Sequence, residues 1–384
     1  MGPLEGLKVL DLTRMVPGPF CTMLLADFGA DVIMIEQPGG PALGQRRKNF
    51  HIDRNKKSII LNLKNRKAKD ILYRLTSGAD IIVEGFRPGT VEKLEIDYQR
   101  LKKINPSLIY CSISGYGQTG PYSNRVGHDI NYMALSGILS LTGKRNETPI
   151  IPGTQVADIA GGSLMATIAI LAALHHREKT GQGQYIDISM ADGALSLGPI
   201  SFFEYFSTGK APQREGHRYL GAVPCYNVYE TKDGKYVSIG AVEAKFWATF
   251  CRKVGREDLI DKQFDQHPET FYSIKQIFVG KTRAEWDALL GEEEVCYAPV
   301  HTLEEAVEDK HVLHREMIVS INDLENKSLK LVGIAPKLSL TPGVIKSPPP
   351  QPGQHTYEIL EKLGIPYEDV SELEKKGVLN GPEK

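Results

Sequence analysis

Short apolar runs alternate with longer mixed segments through the first half of the chain. Leu7–Leu12 (LKVLDL) predicts a buried strand, Phe20–Phe28 a helix closed by Gly29, and Asp31–Ile35 (DVIMI) a second strand. A β-α-β unit of this kind implies parallel strands joined by a right-handed crossover. The rhythm repeats. Ser58–Leu63, Ala79–Glu84 and Ser107–Ser112 read as strands, with helices at Lys67–Thr76 and Val91–Ile96 between them. Strand–helix alternation predicts an α/β domain with a mostly parallel sheet. Asp158–Arg177 reads as one long helix, apolar almost all round and therefore expected to be buried. Its apolar stretch Leu164–Leu174 is short for a bilayer span, so no membrane segment is expected. Tyr185–Met190 alternates like a strand.

The pattern changes near residue 210. Polar, irregular sequence gives way to a hairpin signal, Tyr226–Glu230 and Tyr236–Gly240 about a turn at Lys232–Gly234. Helical stretches follow at Lys245–Val254, Tyr272–Val279 and Thr282–Leu290. The expected organisation is a large α/β domain over 1–200, a linker over 201–221 and a smaller α+β domain over 222–318. Residues 319–384 then form a return segment completing the large domain. The proline-rich stretch Ser347–Thr356 reads as a stiff strap before a last helix, Tyr357–Leu363.

Composition narrows the function classes. The 384 residues suit two domains. Lys plus Arg is 46 and Asp plus Glu is 47, a net charge of -1, which argues against a general nucleic-acid binder. The five cysteines are scattered, with no paired spacing, so neither a disulfide framework nor a metal site is expected. A cytoplasmic, reducing location fits this usage. The N-terminus does not read as a secretory signal, nor the last residues as a peroxisomal address.

Candidate chemistry concentrates in four places. Gly115–Gly120 (GYGQTG) matches a dinucleotide loop, but Pro121 follows where a helix should begin, so a glycine loop open to ligand is the better reading. His128, in GHDINY, is a residue type suited to proton transfer near neutral pH, while Asp129 is placed to cap a helix. Asp158 is expected at a helix N-terminus, where free N–H groups could stabilise an oxyanion. Gly161 and Gly162 beside it would let substrate approach the backbone. Basic residues (Arg46, Arg47, Lys48, Arg54, Lys56, Lys57, Lys64, Arg87, Lys93) gather early, and a subset at strand ends could bind phosphates.

These segments together resemble the family III CoA-transferases, and within them the α-methylacyl-CoA racemase branch. The resemblance runs through Leu4–Asp11, Pro17–Glu36, Ile59–Lys64, Gly85–Leu94, Ser114–Ser123, Gly127–Gly137, Arg177–Met190 and Pro352–Leu360. It implies a Rossmann-like large domain, a small domain and an interlocked homodimer. It also implies an acyl-CoA thioester as substrate and no separate cofactor. The racemase branch implies His128 and Asp158 as an acid/base pair, with Glu243 orienting His128. The transferase branch implies Asp158 as a nucleophile that forms a mixed anhydride. CoA contacts are expected from Leu61, Asn62, Leu63, Lys64, Arg87 and Lys93, and from Gly127, His128, Asp129, Ile130, Asn131 and Tyr132. Gln37 stands where racemases carry an arginine, a phosphate contact that Arg46 or Arg47 could take over.

Overall fold

The computed structural model describes residues 2–39, 51–323, 325 and 327–379. Arg46, Arg47 and Lys48 lie outside the described residues. Contacts divide the chain into two units. One comprises residues 1–136, 153–197 and 314–384, the other 137–152 and 198–313.

The first unit is built on six parallel strands: β1 (Lys8–Leu12), β2 (Asp31–Glu36), β3 (Lys56–Ile60), β4 (Ile81–Glu84), β5 (Ile109–Ser114) and β6 (Tyr185–Ser189). Their order is β3-β2-β1-β4-β5-β6. The inner strands are apolar on both faces (Val9, Leu10, Ile81, Ile82, Cys111), as a sheet covered on both sides requires. Chain order runs outward from β1 in one direction and from β4 in the other. Such a reversal opens a crevice beyond the carboxyl ends of the two strands, where α/β sheets bind ligands.

One face is covered by α1 (Pro17–Asp27), the other in part by α2 (Arg66–Ser77). The amphipathic α2 buries Ala68, Ile71 and Leu72 with Leu10, Ile33 and Ile59 in a shared core. C-terminal residues complete that core: Ile359 and Leu360 from Thr356–Lys362, Val370 from Tyr367–Lys375, then Val378 and Leu379. The proline strap is pinned to β3. Ser58 Oγ accepts from the Gly353 N–H at 2.8 Å, and the Ser58 carbonyl accepts from the His355 N–H at 2.9 Å.

Buried charges fix the strand ends. Arg54 donates to Asp27 at 2.6 and 3.0 Å, and Lys56 donates to Asp11 at 3.2 Å. Both bases are fully engaged inside the protein, so these two members of the early basic cluster are structural and do not serve a phosphate site.

The long helix differs from its sequence reading. It begins as a π-helical turn, Val156–Leu164, and continues as the α-helix Met165–Thr180. Only Ala166, Ile170, Ala173 and Leu174 are buried along the α-helical part, while Leu164, Ile168 and Leu171 are 40%, 61% and 43% exposed. A cylinder can present only one stripe to a sheet, so a helix apolar all round leaves its other stripe open. The whole run, Val156–Thr180, is 25 residues and by length and composition alone is long and apolar enough to cross a membrane, which the Leu164–Leu174 stretch by itself is not. The two glycines also have a different reason. A Cβ on Gly161 would stand 2.8 Å from the Ala194 nitrogen and the Met190 oxygen, so the π turn crosses helix Met190–Ser196 backbone to backbone. Both glycines are buried; Gly161 serves this crossing and not substrate approach, while Gly162 lies against the Met190 side chain and Pro17.

The second unit holds an antiparallel sheet of Tyr226–Glu230, Tyr236–Gly240 and Tyr297–Val300. Helices Ala244–Lys253, Pro268–Phe278 and Arg283–Leu290 supply Trp247, Phe250, Phe278 and Trp286 to its core, with neighbouring ring centroids 5.1–5.7 Å apart. This unit starts earlier than the composition shift suggests. Pro199–Thr208 is a helix, where a linker is the sequence expectation, and residues 137–152 join the same unit.

Candidate active site

A cavity of about 570 Å³ opens in the first unit. Its walls come from the loops after β1 (Thr13–Gly18), β4 (Gly85–Pro88) and β5 (Ser114, Gly115), together with Arg125–His128 and Asp158. It therefore lies at the carboxyl ends of the strands, across the reversal between β1 and β4.

Two of the walls are held from below by a buried acid. Asp11, at the end of β1, accepts from the Thr13 N–H at 2.9 Å and from the hydroxyls of Thr13 and Thr22, both at 2.5 Å. Glu84, at the end of β4, accepts from the Phe86 N–H at 2.7 Å and from the Ser112 hydroxyl. Burial pushes the Glu84 carboxyl up to about 7. The third wall is locked by Tyr132, whose hydroxyl donates to the Gly127 carbonyl at 2.6 Å. Its ring fills the space a side chain would need at Gly115, where a Cβ would sit 2.5 Å from it.

His128 is the N-cap of helix Asp129–Leu135, one residue earlier than the capping expectation for Asp129. Its N–H donates to Asn131 Oδ1 at 3.0 Å, which fixes the backbone from which the imidazole projects. Asp129 instead reaches across to the π turn and accepts from the Asp158 N–H at 2.9 Å. That N–H is thereby engaged, and the Ile159 N–H is bonded to the Gln155 carbonyl, so neither is a free oxyanion donor. Asp158 itself lines the cavity, and its carboxyl is pushed up to about 6, first by burial and then by the neighbouring Asp129 charge. A carboxyl tuned upward in a cleft is suited to gain and lose a proton near neutral pH.

Of the residues singled out in the sequence, Arg87, Gly127, His128, Asn131, Tyr132 and Asp158 line this cavity, and Asp129 braces it. Leu61, Asn62, Leu63, Lys64, Lys93 and Ile130 do not. Leu61 is core, and the Asn62 N–H bonds the Val378 carbonyl, while Lys64, Lys93 and Gln37 are exposed. Glu243 is in the second unit, exposed, as the N-cap of helix Ala244–Lys253. Sequence reasoning missed Arg14 and Arg125, which also line the cavity. Arg14 stands just beyond the end of β1, and strand-end position was the signal that could have found it.

A model of the CoA-transferase family III matches residues 4–356. The chain belongs to this family. It is 38% identical to an α-methylacyl-CoA racemase of Mus musculus, over 96% of both chains. It is 33% identical to a succinyl-CoA:glutarate CoA-transferase of Homo sapiens, over 98% of this chain and 90% of that one. Among solved structures it resembles a CAIB/BAIF family protein from Brucella suis, with a TM-score of 0.83 at 27% identity, over 94% of this chain and 99% of that one. As a member of this family the chain is an enzyme, and an acyl-CoA substrate is consistent with the family.

Proposed function

We propose that the protein racemises or epimerises the carbon next to the thioester of a 2-methylacyl-CoA, by proton transfer between His128 and Asp158. The observation that carries this reading is the pairing of the two groups in one cavity, one an imidazole and the other a carboxyl tuned to about 6. Inversion needs a proton removed from one face of the carbon and another returned to the opposite face. Two groups, each able to act as acid or base, accomplish this without either having to move across the substrate. Asp158 as a carboxylate takes the proton from one enantiomer while His128 in its protonated form returns one, and the reverse reaction exchanges their roles. Glu243 enters this reading through the family resemblance alone, as the group that orients His128.

Relatives that are racemases at 36–38% identity favour this reading. Relatives that transfer CoA, at 33–35% identity, support a second, in which Asp158 is a nucleophile and CoA passes to a free carboxylic acid. The deciding experiment is incubation of each enantiomer of a 2-methylacyl-CoA in D2O without acceptor acid, read by mass spectrometry. Deuterium at C2 with loss of optical purity is expected. Absence of exchange, together with CoA transfer to an added carboxylate, would replace the racemase with the transferase.

A homodimer is part of the same proposal. The open apolar stripe Leu164, Ile168, Leu171 on one unit is a surface a second copy would cover, and so, separately, are Phe203 and Phe206, at 72% and 77% exposure, on the other. Light scattering at low micromolar concentration should give twice the mass of the chain.

A further inference from the structure

Taking a proton from the carbon next to a thioester turns the electron pair of the C–H bond into a C–C double bond. The carbonyl π pair moves onto oxygen, and the charge stays there until a proton returns to carbon. A hydrogen-bond donor held at that oxygen lowers the barrier. The obvious donors beside the acid/base pair are spent. The Asp158 N–H is bonded to Asp129, the Ile159 N–H to the Gln155 carbonyl and the His128 N–H to Asn131. The Tyr132 hydroxyl is bonded to the Gly127 carbonyl.

We propose that the side-chain amide of Asn131 donates the hydrogen bond that holds the thioester oxygen as it becomes an enolate. This deepens, and rests on, the reading of the cavity as the acyl-CoA site. Asn131 lines the cavity together with His128 and Asp158. Its Oδ1 accepts from the His128 N–H at 3.0 Å. Only the oxygen of an amide can accept, so this bond fixes which way the group faces and turns Nδ2, with its two N–H groups, to the other side. Among the described residues Nδ2 has no hydrogen-bond partner.

Position and rigidity agree with the role. In the proposed reaction the reacting carbon lies between His128 and Asp158, and the carbonyl is bonded directly to it. A donor for its oxygen must therefore stand beside the pair, and Asn131 is tied to the backbone of one member. It is the third residue of helix Asp129–Leu135, and its side chain closes the N-terminus of that helix, so the amide is set before charge develops. Glutamate or glutamine is the usual choice for this closing bond, and acids suit the first turn of a helix. A carboxylate here would close the helix equally well but would repel an enolate. The amide is the group that does both.

Asn131→Asp separates the two roles. Its carboxylate still accepts from the His128 N–H, so a merely structural Asn131 predicts an unchanged enzyme. As oxyanion donor, Asn131 predicts a fall of about 10²-fold or more in kcat for deuterium exchange into 2-methylbutanoyl-CoA, each protein being measured at its own pH optimum. KM should change by less than about threefold, because the bond strengthens only as the oxygen gains charge. The second readout is the infrared stretch of the bound thioester, labelled with ¹³C at its carbonyl. It should lie at lower wavenumber in wild-type protein than in Asn131→Asp, since a donor weakens the C–O double bond. A variant that exchanges within about threefold of wild type overturns the proposal. So does lost exchange with the stretch in its wild-type position, which would make Asn131 a positioning residue for His128. Should Asn131→Asp melt well below wild type, Asn131→Gln carries the same comparison, since it keeps the closing bond and displaces the donor by one methylene. The stretch reports on bound thioester before any proton moves. A shift lost in the variant, in a protein that shows no exchange, would count against the racemase reading alone.

Discussion

The Asp158 N–H donates to the Asp129 carboxylate at 2.9 Å, and Asp129 is the residue next to His128. The segments that carry the two proposed acid/base groups are thus joined through a single hydrogen bond from the Asp158 backbone to the Asp129 side chain. The same contact brings a second negative charge near Asp158 and raises the affinity of its carboxyl for a proton. One residue therefore ties the two segments together and adds to burial, the larger cause, in raising the proton affinity of Asp158.

Asp129→Asn tests the second effect. The amide oxygen still accepts from Asp158, but the charge is gone. The acid limb of the pH–rate profile for proton exchange, which follows ionisation of Asp158, should move to lower pH. Asp129→Ala removes the tether as well and should cost on the order of 10²-fold in rate, the scale of a small misplacement of reacting groups. An acid limb that stays in place in Asp129→Asn would exclude Asp129 as a source of the shift.

Asp158→Asn should abolish exchange from at least one enantiomer and yet raise the melting temperature at pH 8. The sign follows from linkage. The folded protein holds the Asp158 proton to about 6, against an ordinary value of 3.8. Between those pH values the folded state binds more protons than the unfolded state, so stability falls as pH rises, and the loss is complete above about 6. Asparagine removes this loss. The gain over wild type should shrink as pH is lowered through that window and vanish below it. Melting curves at pH 4 and pH 8 supply the comparison.

Arg87→Glu should weaken CoA binding by about tenfold or more, since one charge-assisted contact becomes a repulsion. Added CoA should raise the melting temperature of wild-type protein and raise that of the variant much less at the same concentration. Equal shifts in the two proteins would move the phosphate site away from Arg87.

Gly161→Ala should destabilise the fold by about 1–3 kcal/mol even though alanine is the better helix former. Its Cβ would meet the backbone of helix Met190–Ser196 at 2.8 Å, and backbone cannot turn aside as a side chain can. Denaturant unfolding measures the loss. A neutral or stabilising result would show that the π turn relaxes away from that helix.

The sequence alone determined the α/β rhythm, because strands buried on both faces must read as continuous apolar runs, as at Leu7–Leu12 and Asp31–Ile35. It also determined which residue types could move a proton, since His128 and Asp158 have that chemistry wherever they stand. Tertiary structure decided the rest. Gly161 looks like an opening for substrate until helix Met190–Ser196 is seen to occupy the space. Lys56 looks like a phosphate ligand until Asp11 and Asp53 are found beside it inside the protein. Arg14 looks unremarked until the loops after β1, β4 and β5 converge and make it a wall of the cavity. In each case the meaning of a residue depends on neighbours far away in sequence, and local periodicity carries no record of them.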